Sequence, residues 1–182
     1  MSVMISIKPK WCELIASGRK TIEVRKTRPK LETPFKCYIY CTSVKGLNLQ
    51  DYVNVHRATN GAVDDWSDKV IGEFTCDETL QFNHDDYNPP DYDISDDDLN
   101  RTCLLQEDLY RYASGKTLYG WHISELVIYD VPRELSEFLR INRECWYADL
   151  GLAKRDCPEC KNAECFVSRP PQSWCYVEEE RK

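Results

Sequence analysis

The stretch Gly18-Arg-Lys-Thr-Ile-Glu-Val-Arg25 constrains this chain more than any other. Its glycine stops a short helix, and the residues that follow alternate in character. Side chains alternate along a strand with a period of two, so Thr21, Glu23 and Arg25 share one face while Ile22 and Val24 share the other. Lys20 stands at the mouth of that strand. One tight turn therefore gathers a lysine and a polar trio. Such a group is either a small pocket for an anionic ligand or a strand with its charges in water.

The flanks give the motif a setting. Val3, Ile5 and Ile7 alternate with Ser2, Met4 and Ser6, which predicts a half-buried first strand. Pro9 suits the first turn of a helix, where its missing N–H costs nothing. Trp11, Leu14 and Ile15 form that helix's apolar stripe. After the motif, Phe35, Cys37, Ile39 and Cys41 point inward from a strand whose Tyr38 and Tyr40 point outward.

Residues 42–68 read as irregular and polar, with Asn60-Gly61 marking a turn. Another strand spans Val70–Cys76, with Gly72 permitting a bulge or a close backbone approach. Residues 84–98 carry seven Asp, two Pro and no Lys or Arg, and read as an exposed loop without calcium-loop spacing. Ser95 ahead of three Asp starts a helix that Leu99, Cys103, Leu105, Leu109 and Tyr112 continue to Gly115. A strand follows at Trp121–Tyr129, closed by Pro132, and the last strand begins at Trp174. About six strands and three short helices suggest an α+β fold built on a small barrel of mixed topology.

Charge is distributed unevenly. The 182 residues carry a net −7, which argues against non-specific nucleic-acid binding. Residues 1–45 nonetheless hold ten Lys/Arg against three Asp/Glu, and the remainder holds fourteen against twenty-eight. A basic first third on an acidic body points to a localised anion-binding face. The length suits one domain over 1–182. With no apolar run of 18 residues and no leader, a cytoplasmic protein without membrane contact is expected. Ten cysteines then read mostly as reduced core thiols, Cys37, Cys41 and Cys76 among them.

Ser6-Ile-Lys-Pro-Lys-Trp-Cys-Glu-Leu-Ile-Ala-Ser-Gly-Arg-Lys-Thr-Ile-Glu-Val-Arg resembles the opening of ASCH domains, relatives of the PUA-like RNA-binding barrels. Gly18, Lys20, Glu23 and Arg25 match their Gly-x-Lys-x-x-Glu-x-Arg signature. The endings Tyr-Gly-Trp-His-Ile-Ser and Arg-Pro-Pro-Gln-Ser-Trp-Cys-Tyr-Val are similar to small ASCH proteins of bacteria and their phages. The resemblance implies a single PUA-like barrel with short flanking helices. An acidic loop plus helix at about 82–115 and a cysteine-rich excursion at about 145–169 would be insertions in it.

The function so implied is binding of RNA or a modified nucleoside at one end of the barrel. Lys8, Lys20 and Arg25 can hold phosphate or a polarised carbonyl, Arg25 in forked geometry. Thr21 and Glu23 complete the polar wall, with Glu23 accepting from a base or orienting Lys20. Trp121 and Trp174, like Trp11 and Tyr119, are candidates to stack on a base.

Some family members hydrolyse N4-acylated cytidines, and others are linked to RNA cleavage. The amidohydrolases carry a threonine nucleophile where this chain has Glu23. A catalytic reading therefore rests on Glu23 activating water, with Lys20 or Arg25 stabilising an oxyanion and His122 as a second proton carrier. Recruitment of Thr21 with Lys20 as its base is disfavoured, because adjacent residues on a strand point apart. A third reading is a phage-type protein-interaction module, its protein partner unknown.

Cys157-Pro-Glu-Cys160 followed by Cys165 has the spacing of a zinc knuckle, with Cys145 or Cys175 as the fourth thiolate. A zinc held there is structural, since an all-thiolate site leaves no open position. No organic cofactor is expected.

Overall fold

The structure is a computed structural model, and it describes residues 1–85, 91–140 and 166–179. Eleven strands and five α-helices are present among the described residues. Six strands form the main sheet in the order β10-β11-β1-β3-β4-β9: Phe138–Arg140, Trp174–Glu179, Ser2–Ile7, Phe35–Cys41, Lys69–Cys76 and Ser124–Arg133. Three form a smaller sheet in the order β2-β8-β5: Ile22–Arg25, Leu118–His122 and Thr79–Phe82. Two short strands, β6 (His84–Asp85) and β7 (Asp91–Tyr92), pair by themselves.

The two larger sheets share their strands' connections. β4 runs into β5 through Asp77 and Glu78, and β8 runs into β9 through Ile123. At that corner Ile123 N–H donates to Thr21 O and His122 N–H donates to Glu78 O. The motif strand β2 is thereby fixed to the bend between the sheets. β1 and β3 are parallel, as the crossover through α1 (Pro9–Ala16) and β2 requires. Pro9 opens α1 as expected, and Gly18 lies beyond its end with φ +73°, a conformation that glycine adopts without strain.

Packing corrects the first-strand prediction. β1 was expected to bury one face, yet Met4 and Ser6 are buried along with Val3, Ile5 and Ile7. It lies inside the sheet, between β11 and β3, and both of its faces are covered. On one side Val3, Ile5, Ile7, Cys37, Ile39, Phe74 and Trp121 pack beneath Cys12 and Ile15 of α1. On the other, Met4, Tyr38, Tyr40, Val70, Phe138, Val167 and Val177 form a second core. Tyr38 and Tyr40, expected outside, belong to that second core. Alternation locates two faces but cannot say that something covers the second.

A third cluster joins Ile22 and Val24 to Phe82, Leu118, Leu109 and Ala113. The helical segment after Ser95 supplies part of it. Ser95 Oγ caps as expected, accepting from Asp98 N–H at 3.1 Å. The helix is nevertheless two helices, α4 (Asp96–Thr102) and α5 (Gln106–Ala113), because Cys103 turns left-handed at φ +55°.

Residues 42–68 also depart from expectation. They hold a 3-10 turn at Val44–Gly46, α2 at Leu49–Ala58 and α3 at Ala62–Trp66. Asn48 caps α2 by accepting from Asp51 N–H at 2.8 Å, and Val55, Val63 and Trp66 are buried. The close approach expected at Gly72 is present: a Cβ there would meet Val127 O at 2.3 Å. No helix among the described residues is long and apolar enough to cross a membrane.

Candidate functional site

The polar face of β2 opens on a cavity of about 730 Å3 between the two sheets. That volume lies within the roughly 300–1,000 Å3 of small-molecule sites. α1 contributes Lys10 and Trp11, with Lys8 just ahead of it. Asp108 and Tyr112 come from α5, and Leu104 from the turn before it. Pro170–Ser173 closes one side, held to β1 where Ser6 N–H donates to Ser173 O and Ser6 Oγ–H donates to Pro171 O.

Its floor is an ionic triad. Lys20, Glu23 and Arg25 are 2, 6 and 8% exposed, so their charges are held away from bulk water. Arg25 Nη2 donates to Glu23 Oε1 at 2.9 Å and to Ser6 O at 2.7 Å. Lys20 Nζ lies 3.3 Å from Glu23 Oε2 and donates to Ile22 O at 2.9 Å and Thr102 O at 2.7 Å. One carboxylate thus serves two buried cations. Arg25 Nε is buried without a hydrogen-bond partner.

These distances separate the roles of the two cations. An ammonium has three protons, and Lys20 has three acceptors around it. It ties the motif to the end of α4 through Thr102 O. Arg25 keeps donor capacity in a planar fork beside the cavity. Glu23 has a cation on each oxygen. Tyr112 stands over the same group: burial pushes its phenol up, and the Arg25 guanidinium beside it pulls the other way.

Of the residues singled out in the sequence, Lys8, Lys20, Glu23 and Arg25 meet at this cavity. Thr21, Trp121 and Trp174 do not line it. Thr21 precedes β2, and its hydroxyl accepts from Arg101 Nε at 3.3 Å. Trp121 is fully buried, edge-on to Phe35 at 5.9 Å between ring centres. Trp174 donates from Nε1 to Thr27 Oγ1 at 3.0 Å and packs against Tyr176. His122 pairs with Asp77 at 2.6 Å, away from the cavity lining. Burial of Asp77 works against its ionisation, but hydrogen bonds from His122, Ser124 and its own backbone, with the His122 charge, together hold that carboxyl below its usual range.

Trp11 is the aromatic that does reach the cavity, with Lys10 Nζ 4.7 Å and Lys20 Nζ 5.3 Å from its ring centre. Lys10 and Tyr112 were missed as site residues. Tyr112 reads in sequence as one more apolar position of a helix, and only the placement of α5 reveals its second role.

Cys145, Cys157, Cys160 and Cys165 lie outside the described residues. Cys175 is half-buried on β11 against the second core, and burial raises its thiol pKa. No cluster of three or more potential metal ligands occurs among the described residues.

Comparison with known proteins agrees with this architecture. Residues 5–71 match the family model of the ASCH domain. The crystal structure of ASCH from Zymomonas mobilis superposes with a TM-score of 0.56 at 17% identity, covering 98% of this chain and 89% of that one. A point mutant of the Zymomonas mobilis protein gives 0.52 at 18% identity, covering 98% and 91%. Such identities speak for the fold alone. No curated protein matches the sequence.

Proposed function

We propose that this chain, whose residues 5–71 match the ASCH domain model, is an ASCH protein of the PUA-like kind whose inter-sheet cavity binds a nucleotide of RNA or a modified nucleoside without turning it over. On this reading the two sheets are the walls of a small PUA-like barrel and the cavity is its open end. One observation carries the proposal: two buried cations share a single carboxylate. Excess buried charge is costly unless a counter-charge arrives, and a phosphate or polarised carbonyl supplies it. Lys8 and Lys10 at the rim add to the same field. Trp11 offers a face on which a base can stack, a contact worth about 1–3 kcal/mol.

Binding is favoured over hydrolysis by the state of the triad. A base must have a free lone pair, whereas Lys20 Nζ donates to Ile22 O and Thr102 O and lies against the Glu23 carboxylate. Glu23 is held between two cations.

The test is calorimetric titration with cytidine 5′-monophosphate, N4-acetylcytidine and a short single-stranded RNA, with chromatography of each mixture. Saturable binding without product is expected. Arg25→Ala should abolish it and Arg25→Lys should weaken it, because a point charge replaces a fork. Lys8→Glu, at an exposed rim position, should weaken it without touching the fold. Cytidine released from N4-acetylcytidine would reassign the site to hydrolysis, and absence of any binding would remove the proposal.

A further inference from the structure

The five residues after β2 carry their own signal. Lys26, Arg28 and Lys30 are exposed, and none lies within ion-pair distance of a carboxylate among the described residues. The backbone that bears them is tied down along its length. Thr27 Oγ1 accepts from Trp174 Nε1 at 3.0 Å, Pro29 is buried, and Lys30 N–H donates to Tyr176 OH at 2.8 Å. Lys26 Nζ stands 4.7 Å from the ring centre of Tyr112, which itself lines the cavity. Arg28 Cζ is 5.9 Å from that of Tyr119, the cross-strand partner of Arg25.

A fixed row of cations without ion pairs among the described residues thus leaves the cavity at Arg25 and runs outward over aromatic rings. Ordinary surface lysines have neither the anchoring nor the direction. We infer that this row is a rail for the sugar-phosphate backbone of single-stranded RNA, so that the ligand is a strand threaded with one base in the cavity. The inference rests on the nucleotide-binding reading above and goes beyond it by giving the strand a path across the surface and the residues that line it.

The physical case is electrostatic and steric. Alternating phosphates can neutralise Lys26, Arg28 and Lys30 with release of their counterions. Tyr112, beneath Lys26, also lines the cavity that receives the base. A duplex cannot use the site, because the cavity accepts a base only when it is splayed out.

The experiment compares wild type with the triple variant Lys26→Gln, Arg28→Gln, Lys30→Gln. Each is titrated with cytidine 5′-monophosphate and with a single-stranded RNA of about ten nucleotides, a length within single-strand site sizes. The three positions are exposed, so thermal unfolding should be unchanged.

For the strand, removing three phosphate contacts should reduce the slope of log affinity against log salt by about 2. It should also weaken binding about a hundredfold at 0.1 M salt, as that slope implies. Affinity for the mononucleotide should stay the same. Equal losses for strand and mononucleotide, or no loss for the strand, would overturn the rail and leave the cavity reading intact. A glutamate oligopeptide of equal charge competing as well as RNA would also overturn it. Failure of both nucleotides to bind wild type would remove both readings.

Discussion

The carboxylate-centred clusters around Glu23 and Glu73 are built to opposite ends. In the cavity Glu23 sits between Lys20 and Arg25, all three buried, with one positive charge in excess. Across the main sheet Glu73 accepts from Lys36 Nζ at 2.7 Å and from Tyr129 OH at 2.6 Å, half in water and balanced in charge. The second arrangement is complete in itself: Lys36 meets one oxygen, the Tyr129 hydroxyl meets the other, and the nearby Arg133 has its own carboxylate in Glu137. The first is complete only in part. A balanced cluster ties strands together, whereas an unbalanced buried one stores an electrostatic field that a ligand can discharge.

The largest expected effect breaks the cavity cluster at its centre. Glu23→Gln leaves two buried cations without their common counter-charge and should cost about 3–5 kcal/mol in urea denaturation. Added pyrophosphate should recover part of that loss by binding the folded state. Glu73→Gln, the corresponding change in the balanced cluster, should cost less than about 1 kcal/mol at neutral pH and respond to no anion. Equal costs would erase the distinction between the clusters.

Lys20→Met sharpens the comparison from the other side. It removes a charge but also strips two backbone carbonyls, Ile22 O and Thr102 O, of their buried donor. The expected loss is about 1–3 kcal/mol. Hydrogen exchange should then rise in α4 and α5, since Lys20 is a link between the motif and that helix pair. Protection unchanged in α4 and α5 would show that Lys20 does not position them.

That link was not legible in the sequence. Alternation through Ile22–Arg25 correctly separated an apolar face from an ionic one, because a strand's period is fixed by its backbone. The partners of that ionic face come from far along the chain: Thr102 is 82 residues from Lys20. Lysine at a strand mouth reads the same in sequence whether its ammonium meets solvent or three acceptors. Trp121 and Trp174 lie off the cavity lining for a related reason. Their spacing marked them as strand aromatics, but β8 runs through the corner of the fold and buries Trp121 in the core, while Trp174 meets Thr27 and Tyr176 instead. Helices α2 and α3 were hidden by composition, since Val55, Val63 and Trp66 are too few among polar residues to display a period.

In the balanced cluster the expected effects are smaller. Lys36 is substantially exposed, so Lys36→Met should cost only about 0.2–1 kcal/mol, and raised salt should shrink that cost. A loss insensitive to salt would mean that the packing of the lysine stem on Tyr38, 5.6 Å from its ammonium, outweighs the charge.

The smallest effect is a pH dependence confined to acid. Burial of Glu73 opposes its ionisation, yet the hydrogen bonds from Lys36 and Tyr129 prevail and hold the carboxyl below its ordinary value. An unfolded glutamate titrates near about 4.3. Between that value and the lower one of the folded protein, the unfolded state binds more protons, so stability rises with pH. Glu73 therefore contributes its full share above the unfolded value and loses it as pH falls through the folded one. Denaturation curves of wild type and Glu73→Gln should differ at pH 7 and converge as the solution is acidified below about pH 4. Convergence on raising the pH instead would mean that burial, and not the two donors, governs this carboxylate, and the contrast with Glu23 would then rest on exposure alone.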